Sequence, residues 1–286
     1  MDKVTEKLQL DTCGIDIFTY IDQTTDYADN MYYSLTKNAS QKDLLRFNAI
    51  VRYGNEWQTD FHHSLYNWCT WELYEEWDNV RGSMMHGIAL NHINAIHKIT
   101  KLHNIILVID ADIYITYKGW DDVVRTILKE HCCFGFNRHD ENFPSVFFFA
   151  FKKPILSIKE LDFKPDVDYN DVTKKTIINS AKEAKYRCMD MGSKVKCDTG
   201  FQLPLLFKGC GFGLDAIPST SSDVKLPHTK ESLKFCTNNM WHMSEYHFEA
   251  ELFGTHKQAC RNHRLNNGAG KLWLDRIQAY ERKQNV

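Results

Sequence analysis

The segment that most restricts how this chain folds is the apolar run Ile105-Ile106-Leu107-Val108-Ile109, which stops at Asp110-Ala111-Asp112. Five branched aliphatic residues in succession leave no face for water, so the run predicts a strand covered on both sides. Such a strand belongs inside an α/β sheet flanked by helices. The preceding residues supply a helix: beyond Gly82-Ser83, the residues Met85, Ala89, Ile93 and Ile96 recur at spacings of four, four and three and make one apolar stripe. Ser83 is the N-cap candidate, and the helix is expected to run to about Leu102.

The rest of the chain fits the same class. Ile15–Ile21 reads as a buried strand ending in the polar cluster Asp22-Gln23-Thr24-Thr25. Asp26–Leu35 then reads as a short helix and Leu44–Tyr53 as a second strand, so strand, helix and strand suggest a parallel unit. The aromatic-rich stretch Trp57–Trp77 is expected to be partly helical. Lys118-Gly119-Trp120-Asp121-Asp122 caps a helix over Val123–Glu130, and strands follow at Cys132–Phe136 and Val146–Phe151. From Ser157 to Cys197 polar residues dominate and the chain is expected to leave the main sheet. Order returns with an apolar strand within Gly200–Phe207 and with Gly211–Ile217, while Ser219–Lys230 reads as loop. A last helix over Leu272–Arg282 is expected to pack on the outside.

With 286 residues, 43% hydrophobic and 25% charged, the chain can bury a sizeable core, which excludes disordered, fibrous and disulfide-stapled classes. Its nine cysteines are scattered, with no C-x-x-C pair, as expected of free thiols in a reducing compartment. No apolar run approaches the roughly 18–20 residues of a membrane span, and residues 1–11 lack the apolar core of a signal peptide. These features predict a cytoplasmic protein.

Asp110 and Asp112 stand where the most apolar strand ends, and ligands of open α/β sheets bind beyond the carboxyl ends of the strands. Two carboxylates one residue apart can share a divalent cation, and hard oxygen donors suit Mg2+ or Mn2+. The unit Gly82-Ser83-Met84-Met85-His86-Gly87-Ile88-Ala89-Leu90, its helix, the strand with Asp-Ala-Asp, and Lys-Gly-Trp-Asp-Asp resembles the nucleotide-sugar core of GT-A glycosyltransferases. The likeness is strongest over Arg81–Asp122 and weaker over Asp198–Phe207 and Trp241–Phe248. The chain is also similar to the compact glycosyltransferases of phages and large DNA viruses.

The resemblance implies a GT-A-like (Rossmann-like) α/β fold. Its central sheet would be mixed and mostly parallel, flanked by helices, in a single domain over residues 1–256 with a basic C-terminal extension over 257–286. The donor half would occupy about 1–136 and the acceptor half about 137–256. It implies a hexosyl- or pentosyltransferase using Mn2+ or Mg2+ and a nucleotide-diphosphate sugar, in particular a UDP-sugar. Asp112 would be the direct metal ligand, with Asp110 on the ribose or on the metal through water. Thr19, Tyr20 and Asp22 would border base and ribose, and Ser83 and His86 would meet the nucleotide from the helix start. For a late histidine ligand the pattern favours His242 over His247 and His256. Asp198, in Cys197-Asp198-Thr199-Gly200-Phe201, would take the acceptor proton if the enzyme inverts, with Asp140 and Glu141 as rivals and a turn-capping role as the alternative.

Charge is segregated beneath a formal total of −2. Lys174–Lys196 and Lys257–Val286 each carry seven basic and two acidic residues, so the remainder is near −12. Lys257, Arg261 and Arg264 are placed to hold a diphosphate, and the two basic segments keep open a DNA acceptor with a hydroxylated base as well as a glycan or protein hydroxyl. Nucleotidyl transfer, and nucleotide-sugar or nucleic-acid binding without turnover, are the competing readings of the same acids.

Overall fold

The computed structural model of the protein describes residues 12–21, 25–52, 65–66, 68–72, 83–137, 143–164, 188–190, 195–197, 199–200, 203–207, 210–218, 243–257 and 268–284. Within them the chain forms β1 (Ile15–Ile21), α1 (Thr25–Asn38), β2 (Leu45–Arg52), β3 (Trp68–Glu72), α2 (Ser83–Ile99), β4 (Ile105–Ile109), β5 (Ile113–Ile115) and α3 (Trp120–Glu130). There follow β6 (Cys133–Asn137), β7 (Pro144–Lys152), β8 (Cys188–Asp190), β9 (Val195–Cys197), α4 (Leu203–Phe207), β10 (Gly211–Leu214), β11 (Ala216–Pro218), β12 (Met243–Phe248), β13 (Glu251–Lys257) and α5 (Gly268–Gln284).

The large sheet has the order β10-β6-β7-β4-β1-β2-β3. Only β7 runs against its neighbours, so the sheet is mixed and mostly parallel, as the resemblance implies. A second, antiparallel sheet has the order β11-β12-β13-β5. Described helices include none long and apolar enough to cross a membrane.

The β4 run behaves as its composition demands. Ile105, Leu107 and Ile109 face one core with Met31 and Leu35 of α1 and Trp120, Val124 and Leu128 of α3. Ile106 and Val108 face the other, with Ala89, Leu90, Ile93 and Ile96 of α2. Each such aliphatic side chain contributes about 1.5–3 kcal/mol on full burial, which anchors β4 in the sheet. The β1-α1-β2 unit is parallel in the register Ile15↔Leu45. At the helix signal in the middle of the chain, Gly119 takes a φ of 77°, left-handed backbone where a Cβ is disfavoured, and α3 starts at the next residue.

The amino edge of the large sheet is held by buried ion pairs. Asp16, wholly buried near the start of β1, accepts from the Arg46 guanidinium, the Asn48 amide and the His103 backbone N–H. Asp121 accepts the N–H groups of Ser40 and Gln41 at 2.8 and 3.0 Å and the Arg125 guanidinium at 2.7 Å. Arg125 also donates to Cys13 O at 3.0 Å, tying α3 to the residues before β1.

One expectation is corrected and two are refined. In the stretch expected to be partly helical, Trp68–Glu72 is the edge strand β3, parallel to β2, and most of the remainder lies outside the described residues. The apolar segment after Gly200 is the short helix α4, with Pro204 in its first turn, where a missing N–H costs nothing. The last helix does more than coat the exterior: Trp273 and Ile277 of α5 are 1% and 2% exposed and belong to the same core as β1 and β4.

Candidate metal centre and donor site

β4 ends at Ile109, and the Asp110 N–H donates to Phe147 O of β7 at 2.8 Å, which keeps the first acid on the large sheet. Ile113 N–H then donates to Asp110 O at 3.3 Å, and this turn directs the chain out of that sheet. β5 joins the second sheet by pairing with β13, Ile113 opposite His256, while Lys257 N–H donates to Asp112 O at 2.9 Å. The three residues Asp110-Ala111-Asp112 therefore cross from one sheet to the other.

That crossing delivers a histidine to the acids. His256 Nε2 lies 3.3 Å from Asp112 Oδ1, both side chains nearly buried. The imidazole stacks on Phe147, centroids 4.5 Å apart and planes at 26°, which fixes its orientation. Ligand atoms of Asp110, Asp112 and His256 all lie within 4.8 Å of one another. Donors bound octahedrally about 2.1 Å from a small divalent ion sit about 3 Å apart, so the spacing fits a shared cation. The charges fit as well: two neighbouring carboxylates repel, and a divalent ion relieves the repulsion. His256 presents Nε2 to Asp112, which leaves that nitrogen as the ring's ligand atom on the side of the acids.

Beside the acids stand the end of β1 and the start of α2. His86, in the first turn of α2, places Nε2 3.2 Å from Asp110 Oδ1. Tyr20, near the end of β1, stacks on the His86 ring with centroids 5.9 Å apart and planes at 18°. The positive end of the α2 dipole favours negative charge at this point.

Tyr20, His86, Asp110 and Asp112 are thus brought together. Thr19 is buried, with Oγ1 unpartnered among the described residues. Ser83 is the first residue of α2. Lys257 is buried beside His256 at the end of β13. His247 stands 3.8 Å from Glu245, near the β12–β13 turn rather than at the acids. Asp22, Asp140, Glu141, Asp198, His242 and Arg261 lie outside the described residues. Of the three late histidines considered, His256 meets Asp112, His247 does not, and His242 lies outside the described residues. The signal for His256 was the short strand Ile113-Tyr114-Ile115, whose partner must bring its own residues alongside Asp112.

No family model matches the sequence, and no curated protein matches it. Solved structures similar in shape include a mannosyltransferase of Pyrobaculum calidifontis in complex with GDP-Man and Mn2+, at 13% identity and TM-score 0.39 over 60% of this chain and 53% of that one. The galactosyltransferase LgtC in complex with donor and acceptor sugar analogs matches at 12% identity and TM-score 0.41 over 70% of this chain and 73% of that one. TarS of S. aureus matches at 12% identity and TM-score 0.39, over 52% of this chain. This chain spans about half of the mannosyltransferase and 30% of TarS. Scores of this size assign neither substrate nor site.

Proposed function

We propose that this protein is a metal-dependent glycosyltransferase that moves a sugar from a nucleotide-diphosphate sugar to a hydroxyl acceptor. The observation that carries the reading is the set Asp110, Asp112 and His256 gathered at the carboxyl edge of a mixed, mostly parallel sheet, with His86 and Tyr20 beside it. Asp110, Asp112 and His256 would hold the cation, and when bound it supplies charge stabilisation to a leaving diphosphate. Two carboxylates with one imidazole suit Mn2+ better than Mg2+, which favours oxygen donors throughout.

The chain's own residues take the remaining tasks. Tyr20 and His86 offer flat rings at the end of β1 against which a nucleoside base stacks, with a UDP-sugar as the proposed donor. Lys257, with Arg261 and Arg264 after it, is proposed to hold the diphosphate. Asp198 is proposed to take the proton from the attacking hydroxyl. In support, the Cα of Gly200, two residues on, lies against Val146, beside the Phe147 whose carbonyl accepts the Asp110 N–H.

The acceptor proposed is a hydroxyl on a glycan or on a modified base in DNA. The basic excess of Lys174–Lys196 favours a polyanion. The C-terminal excess favours it less, because Arg276 pairs with buried Glu245 and Lys271 with Asp275.

A thermal-shift titration tests the donor class. Nucleoside diphosphates are expected to raise Tm with Mn2+ present and not without it, and Asp112→Ala is expected to abolish the rise. With a nucleotide-sugar donor the product is a free nucleoside diphosphate. Pyrophosphate release would mean nucleotidyl transfer, and ligand binding without turnover across a broad acceptor panel would mean a binding module.

A further inference from the structure

The start of β6 and the start of β10 bring together three thiols that the proposed transfer does not use. These strands run parallel with Cys133 opposite Gly211. One step back, Cys132 N–H donates to Cys210 O at 2.9 Å, and Cys132 Sγ lies 2.8 Å from the same oxygen. Facing residues on neighbouring strands have Cα atoms about 4.8 Å apart, inside the about 4.4–6.8 Å spanned by a disulfide. Cys210 is exposed, Cys132 is half-buried and Cys133 is fully buried, so two of the three thiols are accessible to small molecules.

The environments of the two accessible thiols differ in a useful way. Hydrogen bonding with the Cys133 thiol, and then with Cys210, outweighs burial and brings Cys132 down to about 7. The bond with Cys132 raises Cys210, and burial pushes Cys133 far above the ordinary thiol range. A thiolate available near neutrality beside an accessible second thiol is the arrangement of an attacking and a resolving cysteine.

We propose that Cys132 and Cys210 are a reversible dithiol–disulfide pair, oxidised by low-molecular-weight disulfides such as oxidised glutathione. The Cys132 thiolate attacks one glutathione sulfur; a protein–glutathione bond forms, the glutathione S–S bond breaks and one glutathione thiolate leaves. Cys210 loses its proton and attacks Cys132 Sγ, forming the internal disulfide and releasing the second glutathione thiolate. Two protein thiols are oxidised and one small disulfide is reduced, and the two protein protons end on the two departing thiolates. The new bond closes residues 78 apart in sequence and ties the edge strand β10, and with it the chain from α4, to β6.

The test uses the full chain in glutathione buffers of graded redox poise, followed by acid quenching, alkylation, non-reducing digestion and mass spectrometry. A peptide linking Cys132 to Cys210 is expected to accumulate as the buffer becomes oxidising and to vanish with dithiothreitol. Cys210→Ser is expected to lose the link and to retain glutathione on Cys132, while Cys133→Ala retains the link and so separates the adjacent cysteines. In the reduced protein at pH 7, iodoacetamide is expected to label Cys132 about tenfold faster than Cys210. Wild-type protein, folded by circular dichroism, that stops at the glutathione adduct, links Cys132 elsewhere, or leaves Cys132 unmodified would overturn the proposal. None of these measurements depends on sugar transfer.

Discussion

The two ends of the large sheet treat buried carboxylates in opposite ways. At the amino edge Asp16 and Asp121 are each answered by a guanidinium and by backbone N–H groups. At the carboxyl edge Asp112, 5% exposed, faces an imidazole, and no guanidinium meets it among the described residues. The amino-edge acids are parts of the scaffold, with their charge cancelled where they stand. The carboxyl-edge acids instead meet imidazoles, Asp110 that of His86 and Asp112 that of His256, a set of donors able to share a cation.

The contrast is most severely tested by asparagine at each end. Asp112→Asn is expected to lower metal-dependent donor turnover by about a thousandfold or more, roughly 4 kcal/mol in transition-state terms, with Tm unchanged or higher. Equal turnover by the variant and the parent protein would break the comparison. Asp121→Asn is expected to cost about 1–3 kcal/mol of stability in denaturant titrations, because Arg125, 1% exposed, keeps only the half-exposed Asp122 as counter-charge and the Ser40 and Gln41 N–H groups lose a charged acceptor. Its turnover per folded molecule should stay at the parent level.

Smaller effects sharpen the picture. His256→Ala should raise the Mn2+ concentration for half-maximal activity about a hundredfold, measured against a Tm control. His86→Ala should weaken nucleoside diphosphate binding about tenfold by calorimetry, since it removes one ring of the Tyr20–His86 stack. The least effect concerns pH. Partial burial opposes ionisation of Asp122, yet hydrogen bonds from Ser40 and Gln41 and the Arg125 guanidinium hold its carboxyl below the ordinary value. A lowered carboxyl contributes stability above its unfolded pKa and loses it as pH falls through the folded one. Asp122→Asn should therefore flatten a slight acid-side decline in stability, kept small by solvent screening of a half-exposed group.

Local patterns carried much of this arrangement. The β4 run, the Ser83 helix start, the Gly119 turn and the parallel β1-α1-β2 unit all follow from periodicity or turn chemistry between near neighbours. Asp110 and Asp112 were legible because strand ends in such sheets are where ligands bind. The third member was not, because its selection is non-local: His256 reaches the acids through the register Ile113↔His256, set by residues more than 140 positions apart. Ranking histidines by their immediate neighbours favoured His242, which lies outside the described residues, because the pairing that brings His256 to Asp112 leaves no trace in local sequence. Five-residue apolar segments such as Leu203–Phe207 fit helix and strand alike, although Pro204 near the start was a helix signal. The Trp68–Glu72 strand was hidden for the opposite reason, in a run so aromatic that no period stood out.

The passage of Asp110-Ala111-Asp112 from one sheet to the other would make the affinity of the proposed metal a mechanical quantity. An ion gripped by Asp110 on the β4 side and by His256 on the β13 side would act as a further rivet between two layers already joined here by the three-residue connection, the His256–Phe147 stack and a shared core. At a hundred times its dissociation constant such an ion adds about 2.7 kcal/mol to the cohesion of the layers. Chelation would then loosen the seam, and slower or faster amide exchange in β5 and β13 would read the occupancy of the rivet without any substrate present.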